Sequence, residues 1–144
     1  MAVNLDVLEL GEYATIGRGN WITGFDTCTG SPHFPHQPER RAELHLGAHS
    51  AIIKYHHIDV TNRITIWPFT TIAGYRSQLL THATDLQFNR QHSELIVIGA
   101  YCFVGTSYVM FGGSVLPDHC VLGPLSLLNK PHTEQWCLFA GQPA

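Results

Sequence analysis

Ten histidines stand in a chain of 144 residues that carries eight Lys and Arg against eleven Asp and Glu. Imidazole does two kinds of chemistry near neutral pH: it ligates metals, and it moves protons, a service typically worth roughly 10²- to 10⁴-fold in rate. The spacings speak against metal. His33 with His36, or His56 beside His57, offers two nitrogens, but no Cys or carboxylate completes a recognisable ligand set around either pair. No metal is therefore expected. His82, in "THATD", has a different setting, because it opens an interruption in an otherwise regular chain and precedes Asp85 by three residues. A proton-transfer residue needs a rigid support and open space in front of it, so the regular part of the chain must be read next.

That regularity is a six-residue beat. In "IVIGAYCFVGTSYVMFGGSVLPDHCVLG", Ile98, Val104, Met110, Leu116 and Leu122 recur at intervals of six. A strand facing a core repeats every two residues and a helix every 3.6, so a pure beat of six describes a short strand plus a turn. Three such units close a triangular coil of eighteen residues, and coils stack into a β-helix. The position four after each aliphatic reads Cys102, Tyr108, Ser114, Cys120 and Ser126, mostly small enough to turn a corner inward. A second repeat supports the first: the tetrads "LELG", "LHLG", "ITIW" and "IVIG" each introduce a new coil. About five coils result, with inward residues Leu10, Ile16, Ile22; Leu46, Ile52, Ile58; Ile66, Ile72, Leu79; Ile98, Val104, Met110; and Leu116, Leu122, Leu128. The one interval of seven, from Ile72 to Leu79, predicts a bulge at "GYRS". Residues 24–43 and 83–95 break the beat and are expected to be loops thrown out of the prism, in one domain spanning residues 1–144.

Composition narrows the functional classes. With 44% hydrophobic and 13% charged residues, the chain is globular and long enough for one core. A net charge of −3 and scattered cations give no footprint for nucleic acid. The start, "MAVNLDVLELGEY", lacks a basic-then-apolar leader, and no apolar run reaches membrane-spanning length, so no membrane insertion and a cytoplasmic protein are expected. Cys28, Cys102, Cys120 and Cys137 show no paired spacing and are expected as free thiols, with Cys102 and Cys120 stacked one coil apart.

Three segments, "LLTHATD", "IVIGAYCFVGTSYVMFGGSVLPDHCVLGPLSLLNK" and "LFAGQPA", resemble the hexapeptide-repeat acyltransferases, and most closely their sugar and polysaccharide O-acetyltransferase branch. The resemblance implies a left-handed parallel β-helix, acetyl-CoA as acyl donor, a sugar or polysaccharide-precursor acceptor, and a homotrimer with active sites between neighbours. It implies His82 as general base, with Asp85 orienting the base or touching the acceptor. On the donor side it implies Phe103, Gly105 and Thr106, the last through an N–H for the thioester oxyanion, with Asn129 and Lys130 at the nucleotide end of CoA. Pro124 replaces a small residue there and removes one backbone donor. On the acceptor side Asp59 matches an acidic position, although a corner Asp also caps turns. Trp67 is expected either to stack on a sugar or to fill a subunit contact. Tyr75 and Arg76 are expected to line the pocket, and the first loop to cover a neighbour's active site. Two other classes stay open: a metalloprotein similar to the gamma-class carbonic anhydrases, whose pair of histidines five apart has no counterpart here, and a non-catalytic scaffold.

Overall fold

The computed structural model describes residues 1–28 and 30–144. The repeating aliphatics form three parallel sheets that face one another as the sides of a triangular prism. Each coil runs from sheet I to sheet II to sheet III and then returns to sheet I one strand higher, about 4.8 Å along the axis. The strands are short because each side of the triangle has room for one beat only.

The registers follow the sequence beat. In sheet I, Leu10, Leu46, Ile66, Ile98 and Leu116 stack. In sheet II, Ile16, Ile52, Ile72, Val104 and Leu122 stack. In sheet III, Ile22, Ile58, Leu79, Met110 and Leu128 stack. Thirteen of these fifteen side chains are buried. Leu10, at 47% exposure, and Ile16 are not, since they lie in the lowest strands of their sheets with no strand beneath them. At the other end Leu138–Phe139 adds a strand to sheet II.

Small inward residues at the corners serve the backbone as well as the packing. Ser50 Oγ donates to Trp67 O and accepts from Thr70 N, while Thr70 Oγ1 donates to Gly99 O and accepts from Cys102 N. Polar groups of a turning backbone are thereby satisfied between coils. At the sheet I–II edge, Tyr13, His49, Phe69, Tyr101, His119 and Trp136 all adopt φ near +60°. Their rings stack into one ladder with centroids 4.1–5.2 Å apart. At "GYRS" the extra residue is absorbed by Gly74, at φ +70°, where an added Cβ would lie 2.3 Å from the Thr106 side chain.

Both interruptions leave from the sheet III–I edge. The first runs between Gly24 and Glu43, which themselves end strands. The second is not a loop: His82–Asp85 pairs antiparallel with Arg90–Ser93 as a β-hairpin. Its strands, "HATD" and "RQHS", hold no large apolar residue, so the period-two signal of a half-buried strand is missing. Among the described residues no helix is long and apolar enough to cross a membrane. The four cysteines are free, and the Cys102 and Cys120 thiols donate to Pro117 and Glu134 carbonyls respectively.

Candidate functional site

His82 stands two residues past the sheet III strand Gln78–Leu80 of the third coil, after buried Thr81, where the chain turns outward. Its place is fixed from below. Asp59 Oδ2 accepts from His82 N at 3.0 Å, while Asp59 Oδ1 accepts from Thr61 N and Thr61 Oγ1. Thr81 Oγ1 donates to Asp59 O and accepts from Asn62 N. The carboxylate expected on the acceptor side thus caps its own turn and anchors the His82 backbone.

The ring is held by the hairpin. Gln91 Oε1, on the opposite strand, accepts from His82 Nε2–H in a short contact, which leaves Nδ1 as the basic nitrogen of the neutral ring. Asp85, expected to orient the base or touch the acceptor, has its hydrogen bonds at the far end of the hairpin. Register places Asp85 opposite Arg90, three residues along the strand from His82. There it accepts from Gln87 N and Phe88 N in the hairpin turn and pairs with Arg90 Nε at 3.3 Å. Burial alone would raise its pKa, but these amides and Arg90 hold it below the usual carboxylate value.

The first excursion packs beside His82 of its own chain. Phe34, buried, meets the His82 ring edge-on at a centroid distance of 6.1 Å. Arg40, also buried, fastens the loop: its Nη1 donates to Phe25 O and, at 2.7 Å, to Thr61 O, and its guanidinium lies 4.4 Å from the Phe34 centroid. Burial pulls the Arg40 pKa down from its ordinary value, while Asp6 and Asp26 act in the opposite direction. Gln37 makes a reciprocal pair with the Ser93 backbone, donating to O at 2.7 Å and accepting from N at 3.0 Å. His36 and His92 stack and share a 3.3 Å nitrogen contact, so loop and hairpin are clasped to each other. Gly24, Phe25, His33, Phe34, Thr61, His82 and Gln91 line an open cleft of about 280 Å³.

The other expected residues lie elsewhere on the prism. Phe103 points outward from sheet II, and Gly105 and Thr106 follow at the II–III edge. Tyr75 and Arg76 sit at that edge too, where Thr106 Oγ1 donates to Tyr75 O and accepts from Tyr75 N. Among the described residues the Thr106 N–H donates to no backbone carbonyl. Trp67 follows the sheet I strand Ile64–Ile66 at the I–II edge and lines one surface groove with Pro68, His45 and Arg63. Asn129 and Lys130 are exposed at the III–I edge, two coils above His82 and so about 10 Å along the axis. One chain therefore brings Asp59 to His82 but does not bring Phe103, Gly105 or Thr106, and it leaves Trp67, Tyr75 and Arg76 on other edges. Among the described residues, one group has metal-ligand atoms within 4.8 Å of one another, Asp6, Asp26 and Cys28. The Asp6 carboxylate there already accepts from Thr27 N, Thr27 Oγ1 and Ala42 N.

Gln91, Phe25 and Arg40 are the residues around His82 that sequence reasoning passed over. The one local signal was a cation set among Phe25, Phe34 and three prolines in a segment too long to be a plain connection.

No family model matches the sequence, and no curated protein does. Solved structures do. A hexapeptide-repeat-containing acetyltransferase from Vibrio cholerae superposes with a TM-score of 0.67 at 19% identity, over 85% of this chain and 63% of that one. AntD, an N-acyltransferase from Bacillus cereus, superposes in a complex of one variant with dTDP and coenzyme A, with a TM-score of 0.65 at 14% identity over 95% of this chain and 80% of that one. A further AntD variant, bound to dTDP-4-amino-4,6-dideoxyglucose and coenzyme A, gives 0.51 at 12% identity, over 98% and 81%. The chain thus spans less than two thirds of the Vibrio protein's length. The fold is the left-handed parallel β-helix of the hexapeptide-repeat acyltransferases.

Proposed function

We propose that this protein is an acyl-CoA-dependent O-acetyltransferase that acts on a sugar-type hydroxyl acceptor, with His82 as general base. The observation that carries the reading is the setting of His82: an imidazole at the root of an outward hairpin, with its backbone pinned by Asp59, its Nε2 engaged by Gln91 and a cavity beside it. In the reaction the acceptor oxygen attacks the thioester carbonyl carbon while Nδ1 takes the hydroxyl proton. The C–S bond then breaks as the carbonyl re-forms, and the imidazolium returns the proton to the departing thiolate. Net, one acetyl group moves from sulfur to oxygen and CoA leaves as the thiol. That the protein uses CoA is consistent with AntD, which was crystallised with coenzyme A.

The donor side calls for a second subunit. Phe103, Gly105 and the uncommitted Thr106 N–H occupy a different edge of the prism from His82, so a neighbour's sheet II would have to face this chain's hairpin. A homotrimer with three shared sites meets that demand. In it Thr106 N–H stabilises the oxyanion, and Lys130 lies on the nucleotide side of CoA. The test is direct. The protein is incubated with acetyl-CoA and a panel of glycosides, release of CoA thiol is followed with a thiol-reactive dye, and products are identified by mass. Acceptor-dependent thiol release with an O-acetylated product supports the reading. Release of thiol without an acylated product, or none with any glycoside, contradicts it.

A further inference from the structure

The cavity beside His82 has a wall chemistry more specific than the reading so far requires. Phe25 and Phe34 supply the apolar side, and His33, His82, Gln91 and Thr61 supply the polar groups. None of its seven lining residues is Lys, Arg, Asp or Glu. The charged side chains nearby are turned to internal work. Arg40 lies behind Phe34 with its Nη1 on two carbonyls, Asp59 holds Thr61 and the His82 amide, and Asp85 holds the hairpin turn and Arg90. The volume, about 280 Å³, falls just under the range of roughly 300–1,000 Å³ usual for drug-sized ligands. About one sugar ring fills it, and the rest of any larger acceptor would have to lie beyond these seven residues.

Resting on the reading of His82 as the base, we infer that the acceptor is a single uncharged ring with a hydroxyl and an apolar face, of the 6-deoxyhexoside type. It is taken free rather than as a nucleotide sugar, and Phe25 and Phe34 select it. A diphosphate would demand cations or a cluster of backbone N–H groups, a protonated amine or a uronate would demand a counter-charge, and desolvating either without one is costly. The C–H face and methyl of a deoxy sugar ask for apolar and aromatic wall, which two phenylalanines provide. The polar side matches as well: with Gln91 Oε1 on His82 Nε2–H, the Gln91 amide N–H groups remain to donate to an acceptor hydroxyl, and Nδ1 remains to take its proton. Because Arg40, Gln37 and the His36–His92 contact fasten the loop, the pocket is preformed and does not depend on closure around the ligand.

The test separates binding from turnover. Saturation-transfer NMR with the intact protein is run on four probes: methyl fucoside, methyl galactoside, methyl galacturonide and a dTDP-linked 6-deoxyhexose. Thiol release is followed on the same four. Methyl fucoside is expected to bind, with the strongest saturation at its C6 methyl, and the uronide and the nucleotide sugar to bind at least about tenfold more weakly. Phe34→Leu, which keeps an apolar wall, and Phe25→Ala are each expected to weaken methyl fucoside binding by about tenfold. Thermal melting verifies that each variant is folded. His82→Ala is expected to keep this binding and lose turnover. Equal or tighter binding of the uronide or the nucleotide sugar, an unchanged affinity in folded Phe34→Leu and Phe25→Ala, or no binding of methyl fucoside overturns the inference. If methyl fucoside binds through both phenylalanines but no probe is acetylated, the pocket assignment stands and the reading of His82 falls. If a charged acceptor is turned over through His82, the reverse holds.

Discussion

Arg40→Met should unfasten the loop over His82 without unfolding the prism. Arg40 contributes at least two charge-assisted hydrogen bonds, to Phe25 O and Thr61 O, and its guanidinium covers the Phe34 ring at 4.4 Å and the Phe25 ring at 5.4 Å. Hydrogen bonds from a charged donor are each worth about 1.5–3 kcal/mol net and a cation–π contact about 0.5–2 kcal/mol, against which stands the cost of burying the cation. Methionine keeps the volume, spares the desolvation and leaves two carbonyls short of a donor, for a net local loss of about 2–4 kcal/mol. The core columns are untouched, so the loss is confined to opening of residues 25–28 and 30–42. At about 1.4 kcal/mol per decade, it corresponds to amide exchange in that segment roughly 30- to 1,000-fold faster, with exchange in the coils unchanged. In turnover the acceptor KM should rise while acetyl-CoA affinity holds, because Arg40 orders the acceptor wall. Hydrogen exchange followed by mass spectrometry reads the first effect and initial-rate kinetics the second. Equal exchange in variant and wild type would refute the argument that Arg40 fastens the loop.

Three further outcomes follow from the same geometry. Gln91→Glu sets a carboxylate against His82 Nε2–H, which favours imidazolium, so the acidic limb of kcat/KM should move up by about one pH unit; an unmoved limb separates Gln91 from the base. His56 is 1% exposed at an inward corner with Nε2 unpartnered, and burial holds its pKa below the ordinary imidazole value of 6.5. The unfolded chain therefore binds the proton more readily, so this contribution to stability is full above pH 6.5 and lost as pH falls towards the folded-state value, at up to about 1.4 kcal/mol per pH unit. Denaturant midpoints across that window should show the slope in wild type and lose it in His56→Gln. Finally, if sites are shared, subunits carrying His82→Ala and subunits carrying Thr106→Pro, each inactive alone, should regain about one quarter of wild-type sites when unfolded and refolded together in equal amounts. No recovery in mixed trimers would place both groups within one subunit.

The prism was legible because its physics repeats. A triangular coil admits one inward aliphatic per side, and the three columns through Ile66, Ile72 and Leu79 obey that rule so closely that even the bulge before Leu79 showed as a single interval of seven. The corners were not legible. Positive φ is a glycine habit, and nothing in Tyr13, Phe69 or Trp136 announces it; those residues accept it because the coil geometry imposes it and the rings gain stacking partners. The position of His82 could be located by the break in the beat, but its surroundings could not. Gln91 reaches the ring only through hairpin register, and the first loop reaches it by way of Arg40, contacts with no sequence period. Asp59 and Asp85 show the limit on the other side: a carboxylate at a turn reads alike whether it meets a substrate or its own backbone, and here both meet backbone.

The most direct test of acyl transfer through His82 is the rate constant for acetyl transfer in His82→Ala, measured under saturating acetyl-CoA with an acceptor that wild type turns over, alongside the CoA dissociation constant. His82 is solvent-exposed at the root of the hairpin, so the variant should fold and bind CoA as wild type does. Removing the base should lower kcat by roughly 10²-fold or more. A folded variant with unchanged CoA affinity and near-normal kcat would contradict the account, since acetyl transfer would then be proceeding without the residue around which the hairpin, the loop and Asp59 are arranged.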